Sequence, residues 1–124
     1  MAAWIEISDG QLTVHIEGVD QVLTLKKSIS VPLNHVRGVT VRPSVEHLVR
    51  MEVGRRFLGI HNSDGTVVGT LRFVDEDQGM IFCDFRDASK VVAIELEHDR
   101  WRRIVVELSR ETPEQAKARV EAAL

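Results

Sequence analysis

The chain is short of several features that specialised proteins need, and each shortage excludes a class of protein. Among its 124 residues there is one cysteine, Cys83, so no disulfide can form within the chain, which fits a reducing compartment. The longest unbroken apolar run is Met1–Ile5, far below the roughly 20 residues that cross a bilayer. The N-terminus has no basic region before a hydrophobic segment. We therefore expect a cytoplasmic protein.

Positive charge is also in short supply. Sixteen Lys and Arg residues against nineteen Asp and Glu residues give a formal net charge of −3. This is the wrong sign for wrapping nucleic acid or for adsorbing non-specifically to anionic lipid. The composition, 44% hydrophobic and 28% charged, is that of a globular protein. A chain of this length suffices for one core, so we expect residues 1–124 to form a single domain.

Residue spacings typical of metal and catalytic sites are missing as well. The five histidines include no His-x-His and no His-x-x-x-His pair, so no metal site is predicted. Cys83 alternates with Ile81 and Phe85 on an apolar parity, which favours a buried thiol over a nucleophile. The glycines form no phosphate-binding loop before a helix. We predict no catalytic residue and no cofactor, and a small enzyme without a recognisable site stays open as an alternative.

What the sequence does contain is alternation of apolar and polar residues, most completely in residues 4–17. An Asp9-Gly10 turn of two residues fixes the register of the flanking strands and puts the apolar residues on one face. The predicted pairs are Ala3/Ile16, Trp4/His15, Ile5/Val14, Glu6/Thr13, Ile7/Leu12 and Ser8/Gln11. A slip of one residue would expose the apolar face to water, so the turn and the pattern specify the same hairpin.

Further alternation predicts an antiparallel β protein. The remaining one-sided apolar sets are Ile29/Val31/Leu33, Leu71/Phe73, Ile81/Cys83/Phe85, Val92/Ile94/Leu96 and Ile104/Val106/Leu108. Pro32 has no N–H to donate, which indicates an edge strand or a strand end. Gly38 is a candidate β-bulge. The last two sets are expected to form an antiparallel pair.

A helix is predicted from Pro113 to the C-terminus. Thr112 is a natural N-cap, Pro113 suits the first helical position, and Gln115 completes a Thr-x-x-Gln capping box. Val120 and Leu124 belong to the apolar stripe of this helix. Because so short a helix is marginal alone, we expect this stripe to pack over the sheet.

Three segments make the chain similar to a known family. They are Ile29-Ser-Val-Pro-Leu33 leading into Val36-Arg-Gly-Val39, the strand Val91–Glu97, and Trp101–Leu108 running into Glu111-Thr-Pro113. Over most of its length, residues 44–65 excepted, the chain resembles the bacterial pleckstrin-homology-like domains. The resemblance implies a mainly β fold, a bent antiparallel barrel of about seven strands closed at one end by a C-terminal α-helix, and usually no catalysis.

The resemblance also bears on lipid binding. In lipid-binding pleckstrin homology domains, the loop between the first two strands supplies basic residues that grip inositol phosphates. Here that loop is Asp9-Gly10, which is acidic and too short to surround a headgroup. The usual site is therefore not predicted, and membrane or headgroup recruitment at a non-standard site stays an alternative.

The remaining expectation is a module that works through protein contacts or self-association. Trp4 lies beside His15 on the polar face of the first hairpin, and Trp101 lies among arginines, a combination enriched at binding hot spots. The irregular residues 44–65 also carry large apolar side chains, and a long insertion in a compact domain is more often functional than idle. The predicted contact residues are Leu48, Met51, Phe57 and Trp101.

Overall fold

The protein is mainly β, as predicted, with two sheets and a C-terminal helix. The computed structural model describes residues 3–18, 27–43, 55–61, 66–73 and 79–124. In these ranges the elements are β1 (Ala3–Ser8), β2 (Gln11–Ile16), β3 (Ser28–Pro32), a 3-10 turn (Leu33–His35), β4 (Val36–Val41), β5 (Arg55–His61), β6 (Val67–Phe73), β7 (Met80–Phe85), a second 3-10 turn (Ala88–Lys90), β8 (Val91–Leu96), β9 (Trp101–Glu107) and α1 (Pro113–Ala122).

Strands β1, β2 and β3 form one antiparallel sheet in chain order. All six predicted pairs of the first hairpin are present. Asp9 and Gly10 have φ of 53° and 75°, the two positive values that a type I′ turn requires. β3 lies at the edge of this sheet and ends at Pro32, as the missing proline N–H indicates.

The second sheet has six strands in the order β4, β8, β9, β7, β6, β5. β8 and β9 form the predicted antiparallel pair, and the register of β4 shifts at Gly38, the predicted bulge. The expectation of antiparallel pairing throughout is wrong, because β9 returns between β8 and β7 and therefore runs parallel to β7. The described strands thus form two separate sheets instead of the expected single closed barrel.

One apolar core joins both sheets and the helix. Its fully buried members include Leu12, Val14 and Val31 from the first sheet, Phe82, Ile94 and Val106 from the second, and Ala116 and Val120 from α1. The central strands of the six-stranded sheet are apolar on their other face too, where the second cluster consists of Ile81, Cys83, Phe85, Val91, Ala93 and Val105. Cys83 is buried, as its position between apolar neighbours predicts.

Helix α1 begins with the predicted capping box. The Thr112 hydroxyl accepts from the Gln115 N–H at 3.1 Å, and the Gln115 side chain accepts from the Thr112 N–H at 2.9 Å. Val120 is fully buried, but Leu124 is 55% exposed, so the prediction that Leu124 packs over the sheet is wrong. The reason is that the helix ends at Ala122, which leaves Leu124 beyond its packed stripe.

Helix α1 lies against β4, an edge strand of the six-stranded sheet. The Lys117 ammonium donates to the Val39 carbonyl at 2.9 Å, which satisfies a backbone acceptor of that edge. Nowhere in the part of the chain that the structure describes is a helix both long and apolar enough to cross a membrane.

Candidate functional site

The four predicted contact residues do not come together in one described surface. Leu48 and Met51 lie outside the described residues. Phe57 lies in β5, within the stretch that the sequence marked as irregular. Trp101 is only 4% exposed and belongs to the core, so its assignment to a contact surface is wrong.

A β-bulge explains why Trp101 is buried. Met80 pairs with Trp101 while the next residue of β7, Ile81, pairs with Arg103, so β9 has one extra residue at this point. The extra residue reverses the alternation of sides, and Trp101 therefore faces the same core as the even-numbered residues of β9. There its ring meets Phe82 edge to face, with centroids 6.1 Å apart.

The other tryptophan does lie on the outside. The rings of Trp4 and His15 stack with centroids 4.1 Å apart and planes 13° from parallel. The guanidinium carbon of Arg110 lies 4.1 Å from the Trp4 ring, and His15 Nε2 is 2.8 Å from Glu6 Oε1. These four residues, Glu6, Trp4, His15 and Arg110, are called the Trp4 surface below. Trp4 and His15 are half-buried, while Glu6 and Arg110 are exposed.

Two different kinds of constraint assemble the Trp4 surface. Trp4 and His15 are direct cross-strand partners, so the register of the first hairpin places them together. Arg110 arrives from the other end of the chain, because Ala3 bridges Leu108 and the Ser109 N–H donates to the Ala3 carbonyl at 3.0 Å. The pairing of Trp4 with His15 was predictable from the sequence, whereas no local pattern indicates Arg110.

An open polar cleft of about 620 Å³ begins at Arg110, on the side where β9 leads into α1. Its walls combine the end of β4, the turn before β8 and the connection from β9 to the helix. The lining residues are Arg42, Ser89, Lys90, Glu107, Leu108, Ser109, Arg110, Glu111, Thr112, Pro113 and Gln115. Arg110 is the residue that the cleft shares with the Trp4 surface.

Ion pairs organise the side of the cleft nearest the helix. Arg42 binds Glu114 Oε1 at 2.6 Å and the Ser89 carbonyl at 3.1 Å, and its hydrogen bond holds the pKa of Glu114 below the ordinary value. Glu111 accepts two hydrogen bonds from Arg119, at 2.7 and 3.2 Å. Arg119 also donates to the Ile5 carbonyl at 2.7 Å and so ties α1 to the first sheet.

A buried glutamate holds the turn between β7 and β8. Glu107 is 9% exposed, and its Oε1 accepts from the backbone N–H groups of Arg86 (2.8 Å) and Asp87 (2.7 Å). Asp87 in turn accepts from the Ser89 hydroxyl at 2.6 Å, and this hydrogen bond is the main reason why its pKa lies below the ordinary value. The carboxylates on this side of the cleft are therefore hydrogen-bonded within the protein.

Lys90 and Arg110 differ from Arg42, the third basic residue of the cleft, in their contacts with acidic residues. Within the described residues, neither Lys90 nor Arg110 has a carboxylate oxygen within the 4.0 Å of an ion pair. Among the same residues no group of three or more His, Cys, Asp or Glu side chains is arranged to hold a metal ion. The cleft can thus offer positive charge and hydrogen-bond donors to a ligand.

Comparisons of the chain with protein-family models, curated proteins and solved structures gave no match.

Proposed function

We propose that the protein is a non-catalytic, pleckstrin-homology-like interaction module that works through protein contacts, including contacts with its own copies. The segments that resemble the bacterial pleckstrin-homology-like domains support the family assignment, and a mainly β structure with a packed C-terminal helix is compatible with it. In this proposal the two sheets are the two parts of a bent β structure that is open in the described residues. The observation that carries the functional part is the Trp4 surface.

The Trp4 surface has the composition and the rigidity of a contact site. Tryptophan and arginine are the residue types most enriched at binding hot spots. The Trp4 ring is held between the ring of its cross-strand partner His15 and the Arg110 guanidinium, each at 4.1 Å. Because the ring is already ordered before binding, a partner that covers it loses little side-chain entropy. A contact with the exposed edge of the indole therefore loses little energy to side-chain ordering.

The charges around Trp4 favour a second copy of the chain as the partner. A twofold axis makes each surface residue face a residue of the same patch, so the patch must be complementary to itself. The Trp4 surface carries an exposed acid, Glu6, and an exposed base, Arg110. Two copies that meet at the exposed edges of their Trp4 side chains can place Arg110 of each copy near Glu6 of the other, which avoids contact between like charges.

Size-exclusion chromatography with light scattering, from low to high micromolar protein, tests this proposal. We expect the wild-type mass to rise toward that of a dimer, and Trp4→Thr to remain a monomer with an unchanged far-UV circular dichroism spectrum. Threonine keeps the β propensity of the strand while removing the indole. Ser8→Ala is the matched control, because Ser8 lies on the same exposed face of β1 away from the stack, and it should dimerise like the wild type.

Three possible results would each contradict a different part of the proposal. A wild-type chain that stays monomeric throughout the range overturns self-association. A Trp4→Thr variant that dimerises as strongly as the wild type removes the contact from the Trp4 surface. Turnover of a substrate by the purified chain overturns the non-catalytic assignment.

A further inference from the structure

The histidine of the Trp4 surface is placed to change the charge of that surface near neutral pH. His15 Nε2 lies 2.8 Å from Glu6 Oε1, and the His15 side chain is 30% exposed. An ionised carboxylate can only accept a hydrogen bond, so the neutral ring carries its proton on Nε2, and a second proton binds Nδ1. Histidine ordinarily changes its charge between pH 5 and 8. Protonation therefore converts a neutral hydrogen bond to Glu6 into an ion pair.

The charged groups around His15 make Glu6 its direct partner. The charged residues near it are Glu6 of β1, Glu17 just beyond the end of β2, Lys27 before β3, and Arg110 after β9. Of the carboxylates that the structure describes, only that of Glu6 lies within 4.0 Å of a His15 ring nitrogen. Glu17 accepts a hydrogen bond from the Ser109 hydroxyl. On the face that His15 shares, β3 carries only uncharged serines.

In the proposed dimer, the Glu6 carboxylate has a second cation beside it. Glu6 of each copy lies near Arg110 of the other, so a protonated His15 and that arginine are two positive charges at one carboxylate. Like charges at close range repel, and each cation weakens the attraction of Glu6 for the other. The dimer therefore binds the His15 proton less readily than the monomer does. Because the coupling of two binding events is reciprocal, acid must favour the monomer.

We propose that protonation of His15 separates the two copies, so that the protein is a dimer at neutral pH and shifts toward the monomer in mild acid. This inference rests on the proposed function, since it concerns the regulation of the same contact. A twofold dimer contains the contact between Glu6 and Arg110 twice. An exposed ion pair changes an equilibrium constant by about two- to fivefold, so two of them should raise the dimer dissociation constant about four- to 25-fold.

The expected direction is opposite to that of the overall charge of the chain. The net charge is −3 at pH 7 and the isoelectric point is about 5.9, so repulsion between whole molecules fades in mild acid. Proteins near zero net charge associate more readily. A dimer that weakens as the pH falls is therefore explained by a local contact and not by the overall charge.

Sedimentation equilibrium of the full chain measures the dimer dissociation constant at about pH 7.5, 6.5 and 5.5, a range in which an ordinary glutamate stays ionised. The ionic strength is the same throughout, and a far-UV circular dichroism spectrum at each pH checks that the chain is folded. We expect the dissociation constant of the wild type to rise about four- to 25-fold across this range.

Three variants assign the titrating group. His15→Gln keeps an amide that can donate to Glu6 but does not titrate, so its dissociation constant should change by less than about twofold. Glu6→Gln removes the carboxylate for which the two cations compete and should also lose most of the pH response. His35→Gln is the matched control, because His35 lies in the 3-10 turn after β3, at the opposite end of the first sheet from His15. It should keep the pH response of the wild type.

Two outcomes overturn this regulation while leaving the dimer intact. One is a wild-type dissociation constant that is unchanged or lower at the acidic end of the range. The other is a folded His15→Gln or Glu6→Gln variant that keeps the full pH response of the wild type. A wild-type chain that is monomeric even at the neutral end overturns the dimer itself, and with it the regulation.

Discussion

We expect the substitution Gly10→Val, in the two-residue Asp9-Gly10 turn, to destabilise the protein even though no neighbouring atoms pack against that position. A side chain at position 10 would meet open space, since no heavy atom lies within 4 Å of a Cβ placed on Gly10. The cost of Gly10→Val is therefore conformational, because φ there is +75° and an L residue pays about 1–2 kcal/mol in the left-handed region. A β-branched residue falls at the upper end of that range.

The turn has little freedom to escape this strain. The Gly10 carbonyl accepts a hydrogen bond from the Leu33 N–H at 2.9 Å, so a flip of the turn would break its link to the end of β3. Replacing glycine also restricts the unfolded chain, which offsets about 0.5 kcal/mol. The net loss for Gly10→Val is then about 1.5 kcal/mol, or a fall in melting temperature of about 5 °C for a domain of this size.

Thermal unfolding followed by circular dichroism measures this effect, with Gly10→Asn as the matched control. Asparagine is also larger than glycine but tolerates positive φ far better than valine, so it should lose much less stability. Equal melting temperatures for the valine variant and the wild type would refute the type I′ turn and its register. Equal losses for valine and asparagine would refute the conformational explanation.

Three further perturbations test the core, the buried glutamate and an ion pair. Val120→Ala should lower the free energy of unfolding in urea by about 2 kcal/mol, because it removes buried methyl groups and leaves a cavity. Leu124→Ala removes an exposed side chain and should change the free energy of unfolding by no more than about 0.5 kcal/mol. Equal losses for the two variants would contradict the observed end of the apolar stripe of the helix. Glu107→Ala leaves two backbone N–H groups without their acceptor and should lower the free energy of unfolding by about 2–3 kcal/mol. Glu107→Gln keeps an acceptor oxygen and should cost about half as much. Equal losses of unfolding free energy in the same urea titrations would contradict this explanation. For Glu114, whose folded pKa is lowered, the ion pair with Arg42 contributes stability that is complete above its ordinary pKa of 4.5 and is lost as the pH falls through the lowered value. Melting temperatures should consequently fall less steeply in acid for Glu114→Gln than for the wild type, and identical slopes would contradict the assignment.

The parts of the fold that local chemistry determines were predictable. In the first hairpin, the Asp9-Gly10 turn sets the strand connection and the period-two pattern sets which face is buried, so both constraints give the register that the structure shows. The capping box of α1 is equally local, because Thr112 and Gln115 are three residues apart. The same register also placed Trp4 beside His15, which is half of the Trp4 surface.

Features that depend on distant pairing were not predictable in this way. Alternation along β7 and β9 shows which residues share a face but not which strands are neighbours, so the parallel pair was missed. Trp101 was misplaced for a related reason. Its parity groups it with Arg103, and only the bulge opposite Met80 and Ile81 turns its ring into the core.

The Trp4 surface depends on the junction between β1 and the segment that follows β9. The bridge between Ala3 and Leu108, with the hydrogen bond from Ser109 to Ala3, brings Arg110 to Trp4 and also places it at the mouth of the cleft. The Ser109 hydroxyl donates a further hydrogen bond to Glu17, which secures the same junction to the end of β2. Because Arg110 contacts the indole and also lines the cleft, the Trp4 surface and the cleft share this side chain.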